Sequence, residues 1–146
     1  MTASLLVFAI GNESRGDDAL GPLLLRQLQN EDPNAQVELI EDFQLQVEHI
    51  TDLAGRERVL FVDADMSCAE PFYLSAISAE KDTSYTSHAM SPSALLHAYR
   101  QVYGHDAPPA FLLRIRGYDF ELGNPLSGRA AANLEAANAR VREWLA

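Results

Sequence analysis

Residues 5–10 read Leu5-Leu6-Val7-Phe8-Ala9-Ile10, an unbroken apolar run that stops at the turn formers Gly11-Asn12. A strand with one wet face alternates apolar and polar residues, whereas a run without alternation belongs to a strand covered on both faces. The stretch therefore predicts an interior strand of a mostly parallel sheet. Leu20, Leu23, Leu24 and Leu28 follow at helical spacing to about Asn30, and Pro22 falls in the first turn, where its missing N–H is tolerated. Asp32-Pro33-Asn34 marks a turn ahead of a second short strand from Val37 to Ile40. A helical stretch from about Gln46 to Leu53 stops at Gly55, and Val59-Leu60-Phe61-Val62 is a third strand ending at Asp63. Phe72 to Ile77 reads as a strand near the sheet edge, because Pro71 precedes it. Ser91-Pro92 supplies an N-cap and first helical position for a helix through Leu95, Leu96 and Tyr99. Phe111 to Ile115 is a fifth strand, ended by Gly117, and a final helix from about Gly128 presents Leu134, Ala137, Val141 and Trp144 on one face. Strands and helices alternate, so the expected fold class is α/β: a three-layer α/β/α sandwich around a twisted, mostly parallel five-stranded sheet.

The bulk properties narrow the function. The 146 residues fit one compact domain, and no stretch approaches the length of apolar sequence that a membrane span needs. MTASLLVFAI has no basic leader and runs straight into a turn, so it reads as a buried strand rather than a signal peptide. A single Cys68 excludes an internal disulfide, suits a reducing cytoplasm, and has no basic cluster nearby to make it reactive. The net charge of −10 argues against nucleic-acid and anionic-membrane partners, and permits a basic protein partner.

In open α/β sheets, ligands collect beyond the carboxyl ends of the strands, where adjacent crossovers part. Three chemically armed segments should reach that rim: the loop Gly11-Asn12-Glu13-Ser14-Arg15-Gly16-Asp17-Asp18, the strand end Asp63-Ala64-Asp65, and Thr86-Ser87-His88-Ala89-Met90. Asp18, Asp63 and His88 would give two carboxylates and an imidazole, a donor set for a borderline divalent metal such as Zn²⁺ or Ni²⁺ with positions left open. The same residues have plainer uses: an Asp ending a buried strand caps a loop, and an acid pair before a helix complements its dipole. Phosphate-loop patterns and a GxSxG elbow are both missing. Glu13 and Arg15 read as solvated loop charges, and His49, His97 and His105 as surface or packing residues.

Gly11-Asn12, four residues, Asp17-Asp18, two residues, Gly21 resembles the signature of the nickel–iron hydrogenase maturation endopeptidases. Asp42 resembles that family's next acidic position, Val62-Asp63-Ala64 its aliphatic-Asp-Ala strand end, Ser87-His88-Ala89-Met90 its Ser-His-x-Met element, and Leu126-Ser127 its closing Leu-Ser. The resemblance spans most of the chain in the family's order. It implies one hydrogenase maturation protease domain over residues 1–146, of phosphorylase/hydrolase-like architecture, with Asp18, Asp63 and His88 as metal ligands. It further implies a cytoplasmic, aspartyl-type, nickel-dependent endopeptidase, monomeric when free. Its substrate would be a hydrogenase large-subunit precursor, which loses its C-terminal extension once nickel is inserted. The nickel would arrive with the precursor, and Zn or Cd would substitute in vitro. Whether the metal or a carboxylate-activated water attacks the peptide is left open.

The chain departs from the family at three places. Ala9 stands where glycine is usual. Asp18 stands where Glu is common and is one methylene shorter. Phe43-Gln44 replaces a Gly-Gly or Gly-Gln, which leaves Asp42 as a possible substrate contact or a helix cap. The segment Gly117-Tyr118-Asp119-Phe120-Glu121-Leu122-Gly123 reads as loop structure, with subgroup specificity as the alternative. Two other functional classes stay in view: a non-proteolytic, chaperone-like metal-binding module that docks on a metalloenzyme precursor, and a small-molecule hydrolase using the carboxylates as acid and base.

Overall fold

The computed structural model describes residues 2–31, 35–81 and 90–146. Strand β1, Leu5–Ile10, is buried along its whole length. It is followed by a 3₁₀ turn at Gly16–Ala19 and helix α1, Leu20–Asn30. Next come β2 at Val37–Asp42, a 3₁₀ turn at Val47–His49, α2 at Ile50–Leu53 and β3 at Arg58–Asp65. The chain closes with β4 at Phe72–Ile77, α3 at Pro92–Tyr103, β5 at Ala110–Arg116 and α4 at Gly128–Leu145. Ser91 and Ser127 cap α3 and α4, each side chain accepting an N–H from the first turn.

The sheet has five strands in the order β2-β1-β3-β5-β4. All pairings are parallel except that of β4 with β5. The strict alternation of strand and helix breaks between β3 and β4. Residues 66–71 are too few for a parallel crossover, which takes about a dozen residues, so β4 turns back and pairs antiparallel at the edge. The helical stretch expected at 46–53 is a 3₁₀ turn continued by one turn of α-helix, ended by Gly55 at φ +78°.

Alternation along β1 and β3 explains why both read as unbroken apolar runs. Leu5, Val7, Ala9, Leu60 and Val62 pack with Leu24, Leu28, Leu134, Val141 and Trp144, which places α1 and α4 on one face. Leu6, Phe8, Ile10, Val59 and Phe61 pack with Ile50, Leu53, Leu95 and Tyr99, which places α2 and α3 on the other. The sheet is the middle layer of three.

The crossover from β1 to β2 and the passage onward to β3 diverge on opposite sides of β1. This makes the gap between the carboxyl ends of β1 and β3 the topological switch point. Two glycines let the chain close over it. Gly11 has φ +146°, and a Cβ there would lie 2.1 Å from the carbonyl oxygen of Asp18. A Cβ on Gly21 would lie 2.6 Å from the Ile10 carbonyl oxygen and 3.1 Å from that of Val62. The first turn of α1 therefore rests directly on the ends of β1 and β3. Gly21→Ala should lower stability by about 2 kcal/mol in urea titration, because a clash with fixed backbone outweighs the gain of about 1 kcal/mol in helix propensity.

Candidate active site

The acid pair of the first loop divides its work. Asp17 has no solvent exposure. Its carboxylate accepts the backbone N–H groups of Tyr118 at 2.7 Å, Asp119 at 3.2 Å and Ser127 at 2.7 Å, and the Ser127 hydroxyl at 2.8 Å. Burial alone would raise its pKa, but these bonds outweigh burial and hold the group below the ordinary aspartate value. Asp17 is thus a structural anchor that ties the first loop to the loop after β5 and the start of α4. The segment from Gly117 to Gly123 is held as loop structure by the same bonds, and Gly123 N–H donates to the Ser14 carbonyl at 2.7 Å.

With Asp17 fixed inward, the 3₁₀ turn that carries Asp18 packs against β3 at the switch point, near enough for the charge of Asp18 to act on Asp63. The Asn12 N–H donates to Asp18 Oδ2 at 2.9 Å, and burial pushes Asp18 up against the opposing effects of that bond and of Arg15. Asp63 is pushed up to about 7, first by burial and then by the charge of Asp18, with a smaller push from Asp65 and an opposing bond from the Ala64 N–H. Two carboxylates so placed resist ionising together, and a divalent cation would relieve both the desolvation and the repulsion. Among the described residues, no three His, Cys, Asp or Glu side chains gather to hold a metal ion. His88, the third expected ligand, lies outside the described residues. Met90, the nearest described residue of that motif, donates its N–H to the Leu45 carbonyl at 3.3 Å.

The strand registers extend the rim on both sides of Asp63. Asp42 is level with Ile10, and Ala9 with Val62, so Asp63 is level with Ile10 as well. Asp63 is also level with Arg114, and Arg114 with Tyr73. Side chains at one level of adjacent strands share a face, so Asp42, Ile10, Asp63, Arg114 and Tyr73 form a row across the sheet. Ile10 packs with Phe8 and Leu95, which fixes the row on the α2/α3 face. Arg114 turns from Asp63 toward Asp65, at 3.6 Å, and lies over the Tyr73 ring at 5.1 Å.

Asp42 does not cap a helix; Gln46 holds the N-cap of the 3₁₀ turn. The Asp42 carboxylate instead accepts the Phe43 N–H at 2.7 Å and faces His49 Nε2 at 3.1 Å. His49 does pack, edge-on to Phe8 with ring centroids 4.8 Å apart, but its polar partnership was not visible in the sequence. Its 3₁₀ turn produces that contact, and helical periodicity carries no signal of it. Glu13 pairs with Arg26, which also holds Glu41 at 2.8 Å, an exposed cluster of small energetic weight. Cys68 is buried and burial pushes its thiol up, which keeps it protonated.

No protein-family model matches the sequence. None of the curated proteins matches it either. Solved structures do. The NiFe hydrogenase maturation protease HycI from Thermococcus kodakarensis KOD1 superposes with a TM-score of 0.72 at 20% identity, covering 97% of this chain and 91% of that one. The hydrogenase maturating endopeptidase HybD from E. coli gives 0.72 at 22% identity, covering 94% and 88%. The hydrogenase 2 maturation peptidase from Thaumarchaeota archaeon SCGC_AB-539-E09 gives 0.69 at 22% identity, covering 97% of each. The chain has the hydrogenase maturation protease fold.

Within that fold the acid residues should leave opposite signatures in stability. A carboxylate whose folded pKa is raised opposes folding once pH exceeds its unfolded value near 3.8, and fully so above about 7. Asp63→Asn should therefore raise the unfolding free energy at pH 8 in chelator-treated buffer, by roughly 1–3 kcal/mol in denaturant titration, and the gain should vanish near pH 3.5. A destabilised Asp63→Asn at pH 8 would contradict this reading. Asp17 has a lowered pKa, so its contribution is present above 3.8 and fades as pH falls through the folded value. Asp17→Asn should cost about 2–4 kcal/mol at pH 7 in denaturant titration, with a smaller penalty below pH 3.5.

Proposed function

We propose that this chain is a hydrogenase maturation endopeptidase that removes the C-terminal extension of a nickel–iron hydrogenase large-subunit precursor after nickel insertion. The observation that carries the reading is the charge of Asp18 acting on Asp63 at the switch point of a fold shared with proteins named as such proteases. Two carboxylates, one from the turn after β1 and one from β3, both pushed toward their protonated forms, make a site that favours a divalent cation. Asp18, Asp63 and His88 would bind nickel still held by the precursor, so the metal is part of the substrate. A bound metal of this kind polarises a carbonyl or lowers the pKa of water. The protein's own part is to aim the two carboxylates: Asn12 N–H fixes Asp18, Ala64 N–H fixes Asp63, and Asp17 holds the loop that carries the first. Zn or Cd would substitute for nickel in vitro. The protein would act in the cytoplasm as a monomer on one dedicated precursor; no described helix is long and apolar enough to cross a membrane.

The test is incubation with nickel-loaded precursor, followed by mass spectrometry of its C-terminus. Truncation is expected with the wild type, and a loss of at least about 100-fold in rate with Asp18→Asn, Asp63→Asn or His88→Ala. Stable binding of loaded precursor without any truncation would replace the protease with a docking module.

A further inference from the structure

We infer that His49 is a positioning residue that fixes Asp42 to receive a basic side chain of the precursor; the inference rests on the proposed function. Asp42 shares its level and its face with Asp63, two strand spacings or about 10 Å away across β1. Within the site as described, it has no part in the Asp18–Asp63 pair. The Gln46 N–H donates to His49 Nδ1 at 2.9 Å, so Nδ1 is the acceptor and Nε2 carries the hydrogen directed at Asp42 Oδ2. The ring is 13% exposed and packed edge-on against Phe8, so it cannot turn without losing both bonds. Its role is to hold the carboxylate still.

What it holds is accessible. The Asp42 side chain is 46% exposed, and among the described residues its partners are one backbone N–H and one imidazole N–H, fewer than a carboxylate can accept. Among the described residues no Lys or Arg pairs with it, while the nearby Glu41 already has Arg26. A carboxylate immobilised before binding loses little entropy when a guanidinium or ammonium arrives. Phe43, 71% exposed, and Val47, 47% exposed, flank it with apolar surface that the fold does not use. Such a surface accommodates the aliphatic stem of Lys or Arg, or an apolar neighbour. The chain's net charge of −10 also favours a basic partner segment. The occupant is therefore a segment of the precursor with a basic side chain beside an apolar one.

Steady-state processing of nickel-loaded precursor tests this. Asp42→Asn should raise KM about tenfold or more with kcat within about twofold, and should flatten the rise of KM with added NaCl. His49→Ala should move KM the same way. His49→Gln, which offers both an acceptor for Gln46 and a donor for Asp42, should recover much of the loss. The double variant Asp42→Asn/His49→Ala should be no worse than Asp42→Asn alone, because His49 acts through Asp42. Val102→Ser, at the far end of α3, should change neither constant. An unchanged KM in folded Asp42→Asn, or a loss confined to kcat, overturns the inference. If the wild type binds precursor without cutting it, calorimetry with the same precursor decides: weaker binding by Asp42→Asn upholds the contact although the protease assignment has failed, and equal binding overturns it.

Discussion

Asp17 keeps its charge without any solvent because donors from two distant segments close round it. Through them the loop after β1 is tied to the loop after β5 and to the capped start of α4, and backbone bonds from Gly16, Asp17 and Gly123 reinforce the first of these ties. Ser127 serves twice in this arrangement: its hydroxyl donates to Asp17 and accepts the Ala130 N–H that opens α4. A buried carboxylate with all its bonds made is stable, and one with its bonds broken is costly. That asymmetry pins the loop in one conformation, and everything at the rim is measured from it.

Asp18 follows Asp17 in sequence and has the opposite situation. Its neighbour's donors are spent, and among the described residues it accepts one backbone N–H while its charge acts on a second carboxylate, Asp63. The glycines on either side make the approach possible: Gly11 yields to the Asp18 carbonyl, and Gly21 lets α1 touch the ends of β1 and β3. An acid held by four donors and an acid facing another carboxylate thus stand side by side, and the first gives rigidity to the loop that carries the second.

Much of the fold was legible. The unbroken runs at Leu5–Ile10 and in β3 announced an interior sheet, and Ser91-Pro92 announced its helix start. The direction of β4 was not legible from residue pattern, since its alternation serves either orientation; the shortness of residues 66–71 decides it. At the site, Asp18 and Asp63 were legible as candidates, by position after strands and by resemblance. Asp17 appeared only as the companion of Asp18, because nothing local says which of two adjacent acids turns inward. From its spacing His49 reads as a surface or packing residue, and only its 3₁₀ turn reveals the hydrogen bond to Asp42.

The sequence by itself determined the elements, their apolar faces and the placement of acids at strand ends, because periodicity and turn chemistry act over a few residues. Tertiary structure decided which acid is anchored and which is left facing its own kind. Those outcomes depend on segments far apart in the chain: Asp17 with Tyr118 and Ser127, Asp18 with Asp63, and the level alignment of Asp42, Asp63 and Arg114. Charge and hydrogen bonding act through space, and only the folded sheet sets those distances.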